Sequence, residues 1–212
     1  NISFKENDIM TNFRNLNDYD DVGEIATWIY NTDEFTFNLL FYNDKVRAIT
    51  AIERLIMSDY INPYHRNFIT ILYDENPRDI EGIAVSFKGS DLSIRNTYKA
   101  LYDTSCTSLP LIIQNSIVGM LFASHIKSNE YYIGNLYTNP EHRKKGVGSK
   151  LVKRCIKNAY ILKCDAILLD VEFKKPGLLN FYGKLGFMRA ENHYHKILGT
   201  TYGCYGMKYE LK

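Results

Sequence analysis

Three cations and two glycines stand together at Arg143-Lys144-Lys145-Gly146-Val147-Gly148, between stretches of different hydrophobic period. Ahead of them Tyr131-Tyr132-Ile133-Gly134-Asn135-Leu136-Tyr137 reads as a strand, and Thr138-Asn139-Pro140-Glu141-His142 as a turn. Behind them Leu151, Val152, Cys155, Ile156 and Ala159 recur at helical spacing. A glycine-rich turn that opens a helix presents unpaired backbone N–H groups at the positive end of the helix dipole, which suits a phosphate. Gly146 and Gly148 allow positive φ and close approach of an anion, while Arg143, Lys144 and Lys145 add charge. Taken alone, the hexapeptide fits a phosphate cradle and an ordinary solvated helix start equally well. It is not a Walker loop, because no Gly-Lys-Ser/Thr ends it, and the first glycine of a dinucleotide fingerprint is missing.

A second unit follows downstream. Ala166-Ile167-Leu168-Leu169-Asp170-Val171 is a short, nearly continuous apolar run, the pattern of a buried central strand. Pro176 sets the first turn of a helix in which Leu178, Leu179, Tyr182 and Leu185 follow at helical spacing. Gly186 ends that helix and Phe187 begins another strand.

The two units together resemble the Gcn5-related N-acetyltransferase superfamily. The strand, the Asn139-Pro140 turn and the basic glycine loop are similar to its acetyl-CoA motif, Arg or Gln, two residues, Gly, one residue, then Gly or Ala. Asn180-Phe181-Tyr182-Gly183-Lys184-Leu185-Gly186-Phe187 is similar to its second signature, an aromatic-Tyr pair a short helical step before Gly-Phe. The resemblance covers about residues 68 to 212 by architecture and is sharpest from 131 to 187. It implies an α/β (α+β) fold: a mixed, mostly antiparallel twisted sheet flanked by helices, whose two central parallel strands splay to admit acetyl-CoA. Leu136, Tyr137 and Thr138 match positions that offer backbone groups to the pantetheine arm and polarise the acetyl carbonyl. Lys144, Lys145, Gly146, Val147, Gly148 and Ser149 match those that wrap the pyrophosphate, with Arg143 opening the motif.

An N-acetyltransferase must take a proton from an ammonium group, since amines of pKa near ~10 are mostly protonated at neutral pH. The free amine then attacks the thioester, and the departing sulfur benefits from a proton donor. The resemblance assigns that donor to Tyr182, whose alternative is a tyrosine merely packed under the cofactor arm. Asp170 matches in spacing the acidic base of ribosomal-protein alanine acetyltransferases; it also reads as a solvated strand end, like Glu172. A relayed water, or a base from an insertion at about 89–128, fits as well. Many relatives carry a carboxylate where this chain has Gly134 and Asn135, and an Asn and Ala where it has Lys175 and Leu178. Lys175 could still meet a phosphate or carbonyl of the cofactor. The absent carboxylate at Gly134 and Asn135 keeps open a non-catalytic acyl-CoA-binding module of the same fold.

The elements that would hold this chemistry are partly legible. A chain of 212 residues suffices for one domain, 1–212, with an insertion at about 89–128. Met10 to Leu16 reads as a first strand, and Asp18 to Asp21 can cap a helix carrying Val22, Ile25, Ala26 and Ile29 on one face. Helices follow over about Glu34 to Tyr42 and after Asp44, then strands at Phe68 to Tyr73 and Ile80 to Phe87. Within the insertion Asp91 to Tyr102 reads as a polar helix, and 109–113 and 117–122 as apolar pieces that pack on the body as a substrate wall or as core and subunit contact. Trp28 reads as core packing or as a wall of the acceptor pocket.

Composition excludes little more. The formal charge of +2 argues for no particular macromolecule. A nucleic-acid helix over Arg143 to Arg154 is disfavoured, because its apolar positions face a core. No apolar run has bilayer length and Asn1-Ile2-Ser3-Phe4 begins no secretory segment, so a cytoplasmic protein without membrane contact is expected. The four cysteines, Cys106, Cys155, Cys164 and Cys204, read as free thiols. His193 and His195 share a strand face without a third ligand, so no metal is expected. The expected partner is a small-molecule or peptide amine, with the chain a monomer or homodimer.

Overall fold

The computed structural model describes residues 12–104, 126–197 and 200–211. The expected start of the first strand at Met10, the apolar pieces at 109–113 and 117–122, and Cys106 lie outside the described residues. One sheet contains β1 (Asn12–Asn15), β2 (Ile69–Tyr73), β3 (Ile80–Lys88), β4 (Glu130–Thr138), β5 (Ala166–Glu172), β6 (Met188–Ile197) and β7 (Thr200–Glu210). Their spatial order is β1-β2-β3-β4-β5-β7-β6, antiparallel except where β4 lies beside β5. The sheet is flanked by α1 (Val22–Thr32), α2 (Glu34–Leu40), α3 (Lys45–Ile56), α4 (Ile94–Asp103), α5 (Val147–Ile161) and α6 (Gly177–Lys184).

Aspartate caps set the first and third helices, the first of them expected from the sequence. Asp21 accepts from the Glu24 N–H at 3.0 Å and Asp44 from the Arg47 N–H at 3.0 Å. Helix α2 stops short of the expected Tyr42, because Tyr42 and Asn43 take φ of 54° and 63° and the Asn43 N–H closes on the Asn38 carbonyl at 2.8 Å. The two faces of the sheet bury separate cores. On one, Ile25, Ile29, Ile52 and Ile56 from α1 and α3 pack against Ile71, Ile83 and Val85. On the other, Leu151, Val152, Cys155 and Ile156 of α5 meet Leu72, Ala84, Ile133, Ile167 and Leu169. Each fully buried Ile or Leu contributes about 1.5–3 kcal/mol, so these two layers hold the strands in register.

Strand β4 carries the irregularity that shapes the centre. Val85 pairs with Asn135 but the next residue, Ser86, pairs with Ile133, leaving Gly134 as an extra residue. An inserted residue reverses which face later side chains occupy. Tyr131 and Ile133 therefore point into the α5 core, yet Asn135 and Tyr137 turn towards α1. Trp28 stacks on Tyr137, with ring centroids 5.2 Å apart, and is buried in the α1-side core. The parallel pairing of β4 with β5 runs only from Glu130–Ala166 to Ile133–Leu169. Beyond it β4 continues to Thr138 and β5 to Glu172, so the two strands part at the bulge.

Candidate active site

The basic loop descends from the end of β4. Pro140–His142 form one 3-10 turn, and His142 Nδ1 lies 3.3 Å from Glu81 Oε1 on the neighbouring strand. Gly146 then takes φ of 82° and leads into α5 with no side-chain cap. The Lys150 N–H bonds to the Gly146 carbonyl at 3.0 Å, which leaves the amides of Val147, Gly148 and Ser149 without acceptors inside the helix. A Cβ on Gly148 would sit 3.3 Å from Phe181 Cζ and 3.7 Å from Thr138 Oγ1. The ends of β4, α5 and α6 thus converge on the open amides. Arg143, Lys144 and Lys145 are exposed around them. Helix dipole, N–H groups without helical acceptors and nearby cations are the features that favour an anion such as a diphosphate. Leu136, Tyr137 and Thr138 lie on the part of β4 that β5 has left, so among the described residues one edge of that stretch carries no strand.

Tyr182 projects from α6 into the α5-side core, beside Phe181 and Phe187. Its ring is buried, and its hydroxyl bonds to none of the described residues. Burial, reinforced by nearby Cys155, pushes this phenol well above its ordinary value, so it stays protonated.

Asp170 faces the other way. Its neighbours Leu169 and Val171 lie in the α5-side core, so strand alternation puts Asp170 on the α1 side. There it accepts from the Tyr132 hydroxyl at 2.8 Å. Burial first, then the charge of Asp170, holds the Tyr132 phenol well above its usual range. Cys204, opposite Glu172 on β7, has its thiol pushed up by burial and by Asp170, Asp33 and Glu172. It is kept protonated and is a poor nucleophile. Tyr182 and Asp170 therefore flank the parted strands from opposite faces of the sheet.

Three polar groups close the α1 side of the gap. Asn135 Nδ2 donates to Thr32 Oγ1 at 2.7 Å, and Thr32 Oγ1 donates to the Ile29 carbonyl at 2.7 Å. Lys175 Nζ donates to the Thr32 carbonyl at 2.7 Å and to Glu172 Oε1 at 2.5 Å. Tyr132 and Thr32 carry no signal in a single sequence. Asn135 is visible there only as a missing carboxylate, since the bulge that aims it cannot be read from alternation.

The sequence profile of the Acetyltransferase (GNAT) family matches residues 49–187. The chain belongs to the GNAT family. Among individual GNAT relatives, N-alpha-acetyltransferase MAK3 of Arabidopsis thaliana is 36% identical over 74 residues, 35% of this chain and 39% of that protein. N-alpha-acetyltransferase 30 of Xenopus laevis is 36% identical over 67 residues, 32% of this chain and 24% of that protein. The chain thus matches well under half the length of these relatives. An N-acetyltransferase from Staphylococcus aureus Mu50 superposes with a TM-score of 0.64 at 19% identity, covering 92% of this chain and 98% of that one, which establishes the fold. The expected GNAT architecture, with one parallel pair opening inside an otherwise antiparallel sheet, is present.

Proposed function

We propose that this GNAT chain moves the acetyl group of acetyl-CoA to an α-amino group by direct transfer in a ternary complex. The observation that carries the reading is the parting of β4 from β5 immediately beside the uncapped amides that follow Gly146. Val147, Gly148 and Ser149 amides, with Arg143, Lys144 and Lys145, hold the diphosphate; the free edge of Leu136, Tyr137 and Thr138 takes the pantetheine amides and orients the thioester. The α-amine as acceptor rests on the relatives named N-alpha-acetyltransferase.

Asp170, steadied by Tyr132, takes a proton from the incoming ammonium on the α1 side. The freed nitrogen attacks the carbonyl carbon, the C–N bond forms, the C–S bond breaks with the electron pair passing to sulfur, and the surplus proton on nitrogen passes to the departing thiolate through solvent, leaving a neutral amide and thiol. Tyr182 meets that sulfur from the α6 side with its hydroxyl proton; a phenol raised by burial serves as a hydrogen-bond donor to developing charge throughout the neutral range. The protonated thiol of Cys204 argues against a covalent acyl-enzyme at that residue.

Two measurements test this. Titration calorimetry with acetyl-CoA is expected to show binding that weakens about tenfold or more for an analogue lacking the diphosphate. Thiol release is then followed with a peptide bearing a free N-terminus and with the same peptide blocked there but carrying an internal lysine. Turnover of the first alone supports the α-amine, turnover of the second alone reassigns the acceptor, and binding without turnover of any amine leaves a cofactor-binding module.

A further inference from the structure

In the family motif an asparagine that contacts the cofactor stands where this chain has Lys175. The ammonium of that lysine is engaged by protein groups. It is held between Glu172 Oε1 and the carbonyl of Thr32, the last residue of α1. The turn is itself tight, the Lys175 N–H bonding to the Glu172 carbonyl at 2.9 Å, so the backbone and the ammonium of this residue are both anchored. The preceding residue makes a second contact in the same direction: Lys174 Nζ lies 5.4 Å from the ring centroid of Phe35, at the start of α2. On the far side of the gap Asn135, aimed by the bulge at Gly134, binds Thr32 Oγ1. The junction of α1 and α2 is therefore pinned to β4 by Asn135 and to the β5–α6 turn by Lys175, at the level where the two strands no longer bond to each other.

That junction carries Asp33, whose charge acts on Tyr132 and Cys204 and so sits with Asp170 on the acceptor side. We propose that Lys175 is a positioning residue for the acceptor: it clamps the end of α1 across the parted strands and thereby fixes the wall that an incoming amine meets. This rests on the acetyl-transfer reading above. It departs from the motif's cofactor role for this position, because two of the ammonium's donors are taken by the Thr32 carbonyl and by Glu172.

The experiment compares Lys175→Met, which keeps the stem and loses the donors, with Lys175→Arg, which restores charge and donors. Both are read by acetyl-CoA calorimetry and by hydrogen exchange, neither of which needs an acceptor. In Lys175→Met the amides of residues 31–37 are expected to exchange about tenfold faster while those of 147–149 and the acetyl-CoA affinity change less than about twofold. Lys175→Arg is expected to return the exchange to the wild-type rate. Where the free-amine peptide turns over, its KM is expected to rise about tenfold in Lys175→Met with a smaller change in kcat, and to recover in Lys175→Arg. Weaker acetyl-CoA binding with unchanged exchange at 31–37 would make Lys175 a cofactor contact and overturn the proposal; so would no change in either. Failure of acetyl-CoA to bind the wild-type protein sinks the transfer reading instead, and the exchange result still decides whether the clamp exists.

Discussion

The Tyr132 hydroxyl donates to Asp170 Oδ2 at 2.8 Å across β4 and β5, from one residue before their last pair, Ile133 and Leu169, to one residue past it. Tyr132 stands opposite Leu168, so the bond runs diagonally to a residue on the same face. A carboxylate at the edge of a strand gap is thus given a fixed direction by a phenol that burial keeps protonated.

If the pair acts as one base, Tyr132→Phe and Asp170→Asn each lower kcat by about 10- to 100-fold, and the double variant is hardly worse than Asp170→Asn alone. Steady-state thiol release on the four proteins closes the cycle. Independent, multiplying losses would separate the two residues.

Tyr182→Phe removes a hydroxyl that bonds to none of the described residues, so its folding stability is expected to stay within about 0.5 kcal/mol of wild type. Its kcat is expected to fall about 10- to 100-fold. Because burial raises the phenol, the neutral donor persists as pH rises, and the wild-type kcat profile shows no descending limb from this group below about pH 10. A limb near pH 9 that vanishes in Tyr182→Phe would contradict the assignment.

The loop at Gly146 was legible in the sequence because a left-handed backbone is written as glycine, and its dependent helix as an apolar stripe. The cap at Asp21 was legible because a cap is a local event, settled within three residues. What stayed hidden is non-local. Residues 131–137 read as a plain strand, and nothing in them shows that Gly134 is an extra residue that turns Asn135 towards α1. Tyr132 reads as one aromatic among many until β5 brings Asp170 beside it. The side chain of Lys175 ends on Thr32, distant in sequence and close only in space.

Gly82 belongs to this hidden class. A Cβ there would lie 2.5 Å from the Tyr137 carbonyl oxygen, 3.0 Å from Val147 Cγ1 and 3.2 Å from Leu151 Cδ1. The first of these is backbone and cannot swing aside. Gly82→Ala is expected to cost about 1–3 kcal/mol by overpacking, a fall in Tm of several degrees in a thermal melt. Gly177→Ala, where nothing lies within 4 Å, is the control and is expected to be neutral or slightly stabilising. Equal melting temperatures for the two variants would mean that β3 and β4 shift freely against α5.

His65 makes stability depend on pH with a definite sign. Its Nδ1 accepts from the Asn67 N–H at 3.2 Å, so in the neutral ring Nε2 carries the hydrogen and donates to the Ser58 carbonyl at 3.1 Å. Burial lowers its pKa; the Ser58 bond opposes that and Arg66 adds to it. The unfolded chain, with a value near 6.5, therefore takes up a proton before the folded one does as pH falls. Stability from His65 is complete above that value and is lost as pH drops through the depressed folded value, because protonated Nδ1 can no longer accept from Asn67. Chemical denaturation of wild type and His65→Gln between about pH 7.5 and about pH 5 isolates this group from the other titrating residues. The wild-type advantage is expected to shrink towards acid. An advantage that grows instead would mean that the folded protein prefers the imidazolium, and that the neutral-ring geometry at Ser58 and Asn67 is wrong.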